Sequence, residues 1–167
     1  PPEEVPIIQK RLIQNSRDRG KPIVVATQML DSMINSPSPT RAEASDVASA
    51  VFDSADALML SAETAAGKFP IEAVEIMDRI IRGVENDISY RQMINSKKIK
   101  LEETTSDAIS SAASQVVNTV SAKAIFTYTR SGKTAIRAAR ERPSVPIIGL
   151  SPERLTSRQL ALVWGVH

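Results

Sequence analysis

Two apolar runs, each broken off by a hydroxyl residue and followed at once by helix-like periodicity, leave this chain few folds to choose from. The first is Pro22–Leu30, Pro-Ile-Val-Val-Ala-Thr-Gln-Met-Leu, and the second is Asp56–Thr64, Asp-Ala-Leu-Met-Leu-Ser-Ala-Glu-Thr. A continuous apolar run of strand length is what a parallel strand buried on both faces requires. Thr27 and Ser61 then fall at the carboxyl ends of the two strands. Proteins built from parallel βα units place ligands and chemistry at those ends.

The rest of the chain keeps the same rhythm. Val5, Ile8, Leu12 and Ile13 recur at helical spacing from Glu3 to Arg19, with Gly20 as the stop. A strand Ile23–Ala26 and a short helical pattern over Gln28–Asn35 follow, ended by Pro37 and Pro39. Thr40-Arg41-Ala42-Glu43 has the spacing of a capping box, and Ala44, Val47, Ala48 and Val51 continue one apolar face. After the strand Ala57–Leu60, Pro70 sits in the first turn of a helix carrying Ile71, Val74, Met77 and Ile81.

Residues 87–105 are polar and read as a linker around a short helix, with Lys97, Lys98, Lys100, Glu102 and Glu103 in its second half. Beyond it the sequence predicts a helix Ser106–Val120, a strand Ala124–Tyr128, a helix Ala135–Glu141, a strand Pro146–Leu150, a helix from Ser151-Pro152 through Leu160, and another strand within Ala161–His167. Alternating βα units make this an α/β chain. Its expected domains are 1–86, the linker 87–105, and a second domain from 106 that the chain cuts short.

Composition removes several functions. Lys and Arg total 21 against 19 acids, too even a balance to gather nucleic acid, and aromatics at 4 % are too sparse for a base-stacking surface. There is no cysteine, which excludes disulfides and thiolate metal sites and fits a reducing, cytoplasmic setting. No apolar run approaches the roughly 18 residues of a membrane span. The single histidine, His167, gives a Ser-His-Asp triad or a His-based metal centre nothing to build on.

Two segments remain as candidate sites. Ser61-Ala62-Glu63-Thr64 brings a hydroxyl and a carboxylate to a strand end, although Ser61 reads equally well as a helix cap that Glu63 or Thr64 satisfies. Thr27 lies at the other strand end, but a threonine hydroxyl is too weak an acid to act near pH 7 without a relay. Thr129-Arg130-Ser131-Gly132-Lys133-Thr134 runs from a strand into a helix start and offers backbone N–H groups, hydroxyls and two cations to a phosphate. Thr127 stands where a Walker A loop opens with glycine, so the motif is incomplete. A capped turn with solvated Arg130 and Lys133 explains it as well.

Gly20-Lys21-Pro22 through Met33-Ile34, then Pro37-Ser38-Pro39-Thr40-Arg41-Ala42-Glu43 and Ser45-Asp46-Val47-Ala48, resemble the seventh-strand region of the pyruvate kinase family. Asp56 to Gly67, followed by Phe69-Pro70 and Glu72-Ala73-Val74, resemble its eighth strand and helix. Ala62 stands where the family usually has glycine. The resemblance implies the closing part of a (β/α)8 TIM barrel followed by part of a small α/β C-terminal regulatory domain. It implies phosphoryl transfer from phosphoenolpyruvate to ADP, giving pyruvate and ATP, with Mg²⁺ and K⁺ held by residues outside this chain. Thr27 would line the phosphoenolpyruvate site, and Ser61 and Glu63 would belong to the network supplying a proton to the enolate. Thr129, Arg130, Ser131, Gly132, Lys133 and Thr134 would hold the phosphate of a sugar-phosphate effector of an allosteric homotetramer, and Arg41 would lie near a subunit contact. Without the metal ligands and a lysine that precede this segment in the family, the chain alone is expected to be inactive. The reading set against this is a non-catalytic regulatory module that binds a phosphorylated metabolite.

Overall fold

The computed structural model describes residues 1–96 and 104–167. Residues 97–103, which carry the Lys/Glu part of the expected linker, lie outside the described residues. The contacts divide the chain into two compact units. Of the described residues, one takes Pro1–Ile13 and 23–96; the other takes Gln14–Pro22 and 104–167.

In the first unit, a 3-10 turn leads into α1 (Val5–Asp18), whose early turns belong here. Then come β1 (Val24–Ala26), α2 (Arg41–Phe52), β2 (Ala57–Met59), the single turn α3 (Ala62–Ala65), α4 (Pro70–Glu85) and α5 (Ile88–Ser96). β1 and β2 pair in parallel with Val24 opposite Ala57, Val25 opposite Leu58 and Ala26 opposite Met59. The connection through α2 is a βαβ crossover, which parallel pairing demands. Ile13, Val25, Met29, Leu30, Met33, Val47, Ala50, Ala73 and Met77 form one core, each large member worth roughly 1.5–3 kcal/mol when fully buried. Tyr90 and Ile94 of α5 close a second cluster with Val51 and Val84, and Phe52 meets Tyr90 edge to face at 5.8 Å.

Two expectations need correction here. The segment after β1 is not helical from Gln28: Thr27 and Gln28 both have positive φ, 72° and 55°. Only Asp31–Ile34 forms a 3-10 turn, because Met29 and Leu30 must drop into the core first. β1 and β2 are not buried on both faces either. Val25 is buried, whereas Val24 and Met59 are exposed. With Val5, Ile8 and Leu12, Val24 lines an open apolar groove of about 270 Å³.

The second unit contains α6 (Thr105–Thr119), β3 (Ile125–Tyr128), α7 (Lys133–Arg140), β4 (Ile147–Leu150) and α8 (Arg154–Leu160). β3 and β4 are parallel, from Ile125 opposite Ile147 to Tyr128 opposite Leu150. Ala135, Ala138, Ala139, Ile147, Leu160, Val163 and Val166 make its core. Of the strand expected within Ala161–His167, Ala161–Gly165 forms turns instead, and Val166 bridges Ile147 in parallel, with Ile147 N donating to Gly165 O and Gly149 N to His167 O.

Candidate functional site

β1 delivers Thr27 directly from its carboxyl end, and β2 delivers Ser61 two residues past its own. The parallel register puts those two ends side by side. Thr27 is exposed, and its hydroxyl donates to the Ala26 carbonyl at 2.6 Å. A β-branched residue in the left-handed region is a genuine outlier, costing about 1–3 kcal/mol. The buried side chains of Met29 and Leu30 anchor the turn that imposes it.

Glu63 links the two strand ends. It is 1 % exposed, and each carboxylate oxygen accepts a backbone N–H. Leu30 N donates to Oε1 at 3.2 Å, and Ser61 N donates to Oε2 at 2.7 Å. One side chain therefore ties the loop after β1 to the loop after β2. Ser61 stands at the N-cap position of α3, but its hydroxyl makes no capping bond. Of the two readings open for it, capping by the side chain is removed, and Glu63 serves the cap backbone instead. A Cβ on Gly67 would run into the Glu63 carbonyl oxygen, so glycine there lets the chain close over the same turn.

Glu43 does comparable work beside this site. The capping box forms as the spacing predicts: Glu43 N donates to Thr40 Oγ1 at 3.2 Å, and Thr40 N to Glu43 Oε2 at 2.7 Å. The carboxylate also takes Ser32 N at 2.7 Å and Ser32 Oγ at 2.6 Å, fixing the 3-10 turn to the start of α2. Burial pushes its pKa up, but the bonds from Ser32 and Thr40 prevail and hold it at about 2, below the ordinary 4.5. Because the folded value lies below the unfolded one, its stabilisation is complete above about pH 4.5 and is lost as pH falls toward 2. Glu43→Gln is expected to cost about 1 kcal/mol at pH 7 and to flatten the acid limb of stability between those values; urea unfolding across the range measures both.

The Thr129–Thr134 loop lies in the second unit. Thr129 is buried, and its N–H donates to Leu150 O at 2.9 Å. Arg130 is exposed and paired with Glu153 at 3.2 Å, while its carbonyl accepts Thr156 Oγ1 at 2.9 Å. Gly132 has φ 81° and precedes α7; a Cβ there would meet Leu160 and Thr156 only in ordinary contact at 3.4 Å, so it is the positive φ that favours glycine. Ser131, Lys133 and Thr134 are exposed at the helix start.

Sequence reasoning missed Asp107. Fully buried, it accepts Arg137 Nε at 2.9 Å and Arg140 Nη2 at 2.7 Å. Its N–H also caps on Thr104 Oγ1 at 3.2 Å. Locally, Asp107 is only the third residue after a threonine cap, and nothing in that pattern announces two arginines some 30 positions on.

Among the described residues, no group of three or more His, Asp or Glu could hold a metal ion. No described helix is long and apolar enough to cross a membrane.

The comparisons agree across the chain. The family description "Pyruvate kinase, barrel domain" matches residues 1–74, and "Pyruvate kinase, alpha/beta domain" matches residues 107–167. A pyruvate kinase of Methylorubrum extorquens is 53 % identical over 167 residues, covering 100 % of this chain and 35 % of that protein. One from Geobacillus stearothermophilus is 48 % identical, with 100 % and 28 % covered. The crystal structure of a pyruvate kinase from Cryptosporidium parvum superposes with a TM-score of 0.92 at 40 % identity, covering 99 % of this chain and 34 % of that one. The chain thus spans about a third of the length of these relatives.

Proposed function

The chain belongs to the pyruvate kinase family, and on that footing we propose that it supplies the closing barrel segment and part of the C-terminal domain of an enzyme that transfers the phosphoryl group of phosphoenolpyruvate to ADP. The domain division we propose is barrel over 1–86, linker over 87–105 and regulatory domain from 106. The observation that carries the reading is the side-by-side placement of the Thr27 and Ser61 strand ends, bound together by Glu63. Phosphoryl transfer leaves the enolate of pyruvate, whose terminal carbon must gain a proton. Thr27, exposed at the strand end, would orient that proton beside the carbon. Ser61, free of a capping bond, would continue the hydroxyl and water path, and Glu63 would hold both backbones in register. No hydroxyl need own the proton, so an unperturbed alcohol suffices.

Mg²⁺ and K⁺ supply the positive charge around a moving phosphoryl group. The donors here do not fit such a site, since both Glu63 oxygens already accept backbone N–H groups. Those ligands would come from outside this chain, which alone would be inactive. The apolar groove beside Val24 suits further barrel strands. The Thr129–Thr134 loop would hold a sugar-phosphate effector's phosphate, consistent with an allosteric, cytoplasmic homotetramer.

The test is ATP formation by a full-length protein containing this sequence. Thr27→Val combined with Ser61→Ala is expected to lower kcat by about 10²-fold or more, with KM for phosphoenolpyruvate changing far less. An unchanged kcat removes the assigned roles.

A further inference from the structure

Thr27 and Gln28 stand in succession at φ 72° and 55°, and such a pair persists only where the surrounding chain over-determines it. The Thr27 hydroxyl bonds the carbonyl next to it, Ala26 O, which fixes nothing beyond the strand. The restraint has to come from the residues after Gln28, and it arrives at three places. Leu30 N donates to Glu63 Oε1 at 3.2 Å. Ser32 donates twice to Glu43, from N to Oε1 at 2.7 Å and from Oγ to Oε2 at 2.6 Å. Ile34 O accepts Lys68 N at 2.9 Å. Between these ties lies a single 3-10 turn, with Met33 N on Leu30 O at 2.8 Å and Asn35 N on Ser32 O at 3.1 Å, too short to persist by itself.

The capping box of α2 does not need the bonds from Ser32. It is complete with Glu43 N on Thr40 Oγ1 and Thr40 N on Glu43 Oε2. Ser32 comes 11 positions earlier and satisfies no orphan group of the helix. One carboxylate oxygen takes its N–H and the other its hydroxyl, so the residue is held in place and in orientation together. Charge-assisted bonds of this kind are about twice as strong as neutral ones. The helix that presents Glu43 is itself anchored, since Val47 and Ala50 belong to the core of the first unit.

We propose that Glu43 is a positioning residue for the proton delivery at Thr27, acting through Ser32 to hold the left-handed turn in which Thr27 stands. This rests on the role proposed above for Thr27. The tie to Glu63 fixes the loop at Leu30 alone, and a second tie two residues on fixes its direction as well. Glu43 moves no proton itself. A loop released at Ser32 still stands at the end of β1, so substrate affinity changes little while the proton path lengthens and kcat falls.

The test uses a full-length protein containing this sequence, assayed for ATP formation and for exchange of the pyruvate methyl hydrogens with D2O, which follows proton transfer without phosphoryl transfer. Glu43→Ala is expected to lower kcat and the exchange rate together, by about tenfold, with KM for phosphoenolpyruvate within about twofold. Thr40→Ala is the control: it removes the hydroxyl cap of α2 and so weakens the helix start, but it leaves both Ser32 bonds in place, and kcat should stay within about twofold. Glu43→Gln, which keeps one oxygen for the Ser32 N–H, should recover part of kcat and serves in place of alanine if that variant unfolds. Equal kcat and exchange in the Glu43 variants and an active wild type overturn the proposal alone. Equal losses in Thr40→Ala and Glu43→Ala also overturn it, because helix capping then explains both. A wild type that forms no ATP overturns it together with the reading on which it rests.

Discussion

Replacing Asp107 by alanine is expected to destabilise the second unit by about 3–5 kcal/mol, because two guanidinium groups lose their shared counter-charge inside the protein. Asp107 is fully buried and the Arg140 side chain is 4 % exposed, so water cannot take over as it would at a surface pair. The cap on Thr104 is not the source, since Thr104 Oγ1 accepts from the backbone N–H of Asp107, which alanine retains. Asp107→Asn should fall between wild type and alanine, keeping hydrogen-bond capacity and losing charge. The decisive comparison is Asp107→Leu with Arg137→Met and Arg140→Leu. Removing all three charges together should recover most of the loss, since a buried ion cluster contributes little beyond its desolvated isosteres. The only tryptophan of this chain, Trp164, sits in the second unit against Arg142 at 4.6 Å. Its fluorescence during urea unfolding reads the midpoint where it matters. A midpoint unmoved by Asp107→Ala would show that the arginines find other acceptors.

Asp107 also marks where the sequence stops being legible. Several local features were readable. The Thr40–Glu43 box, Pro70 at the first turn of α4, and both strand-to-hydroxyl junctions sit where spacing and residue type put them. These features depend on neighbours a few positions away, which a sequence displays directly. The pairing of Asp107 with Arg137 and Arg140, and of Glu63 with Leu30 N, spans about 30 residues. Such contacts exist only after β1 meets β2 and α6 meets α7. The left-handed turn at Thr27 and Gln28 was hidden for the same reason. A helical pattern over Gln28–Asn35 satisfies local propensity, and it yields because burying Met29 and Leu30 is worth more than one turn of helix. Ser61 is the instructive middle case. Its position as a cap was legible, and Glu63 as the group that satisfies it was one of the readings, but whether the Ser61 hydroxyl itself would bond was not. A carboxylate two residues later satisfies the backbone N–H and leaves the hydroxyl free.

Glu63→Ala is expected to be the more damaging change for function, although it touches no outward-facing atom. It leaves two backbone donors, Leu30 N and Ser61 N, without their acceptor. Each unsatisfied donor costs about 1–3 kcal/mol when buried, and the Ser61 N–H is only partly so, so a loss of about 2–6 kcal/mol in the first unit follows. The effect on chemistry exceeds what stability implies. The loops after β1 and β2 are held in register by this one side chain, and a shift near 1 Å in a reacting geometry can cost about 10²-fold in rate. Hydrogen exchange at the Leu30 and Ser61 amides reports the first consequence directly, and both should lose protection together. Assay of the full-length protein reports the second, with kcat falling by about 10²-fold or more in preparations still folded by circular dichroism. Glu63→Gln separates charge from shape: one amide oxygen remains for one N–H, while the amide NH2 faces the other donor, so one of the two amides should stay protected. Gly67→Ala approaches the same turn from its backbone side, where the added methyl meets the Glu63 carbonyl. It should reproduce the kinetic defect with the carboxylate intact. If Glu63→Ala kept full kcat while both amides exchanged freely, the two strand ends would not need each other, and the proton path drawn between them would have to be abandoned.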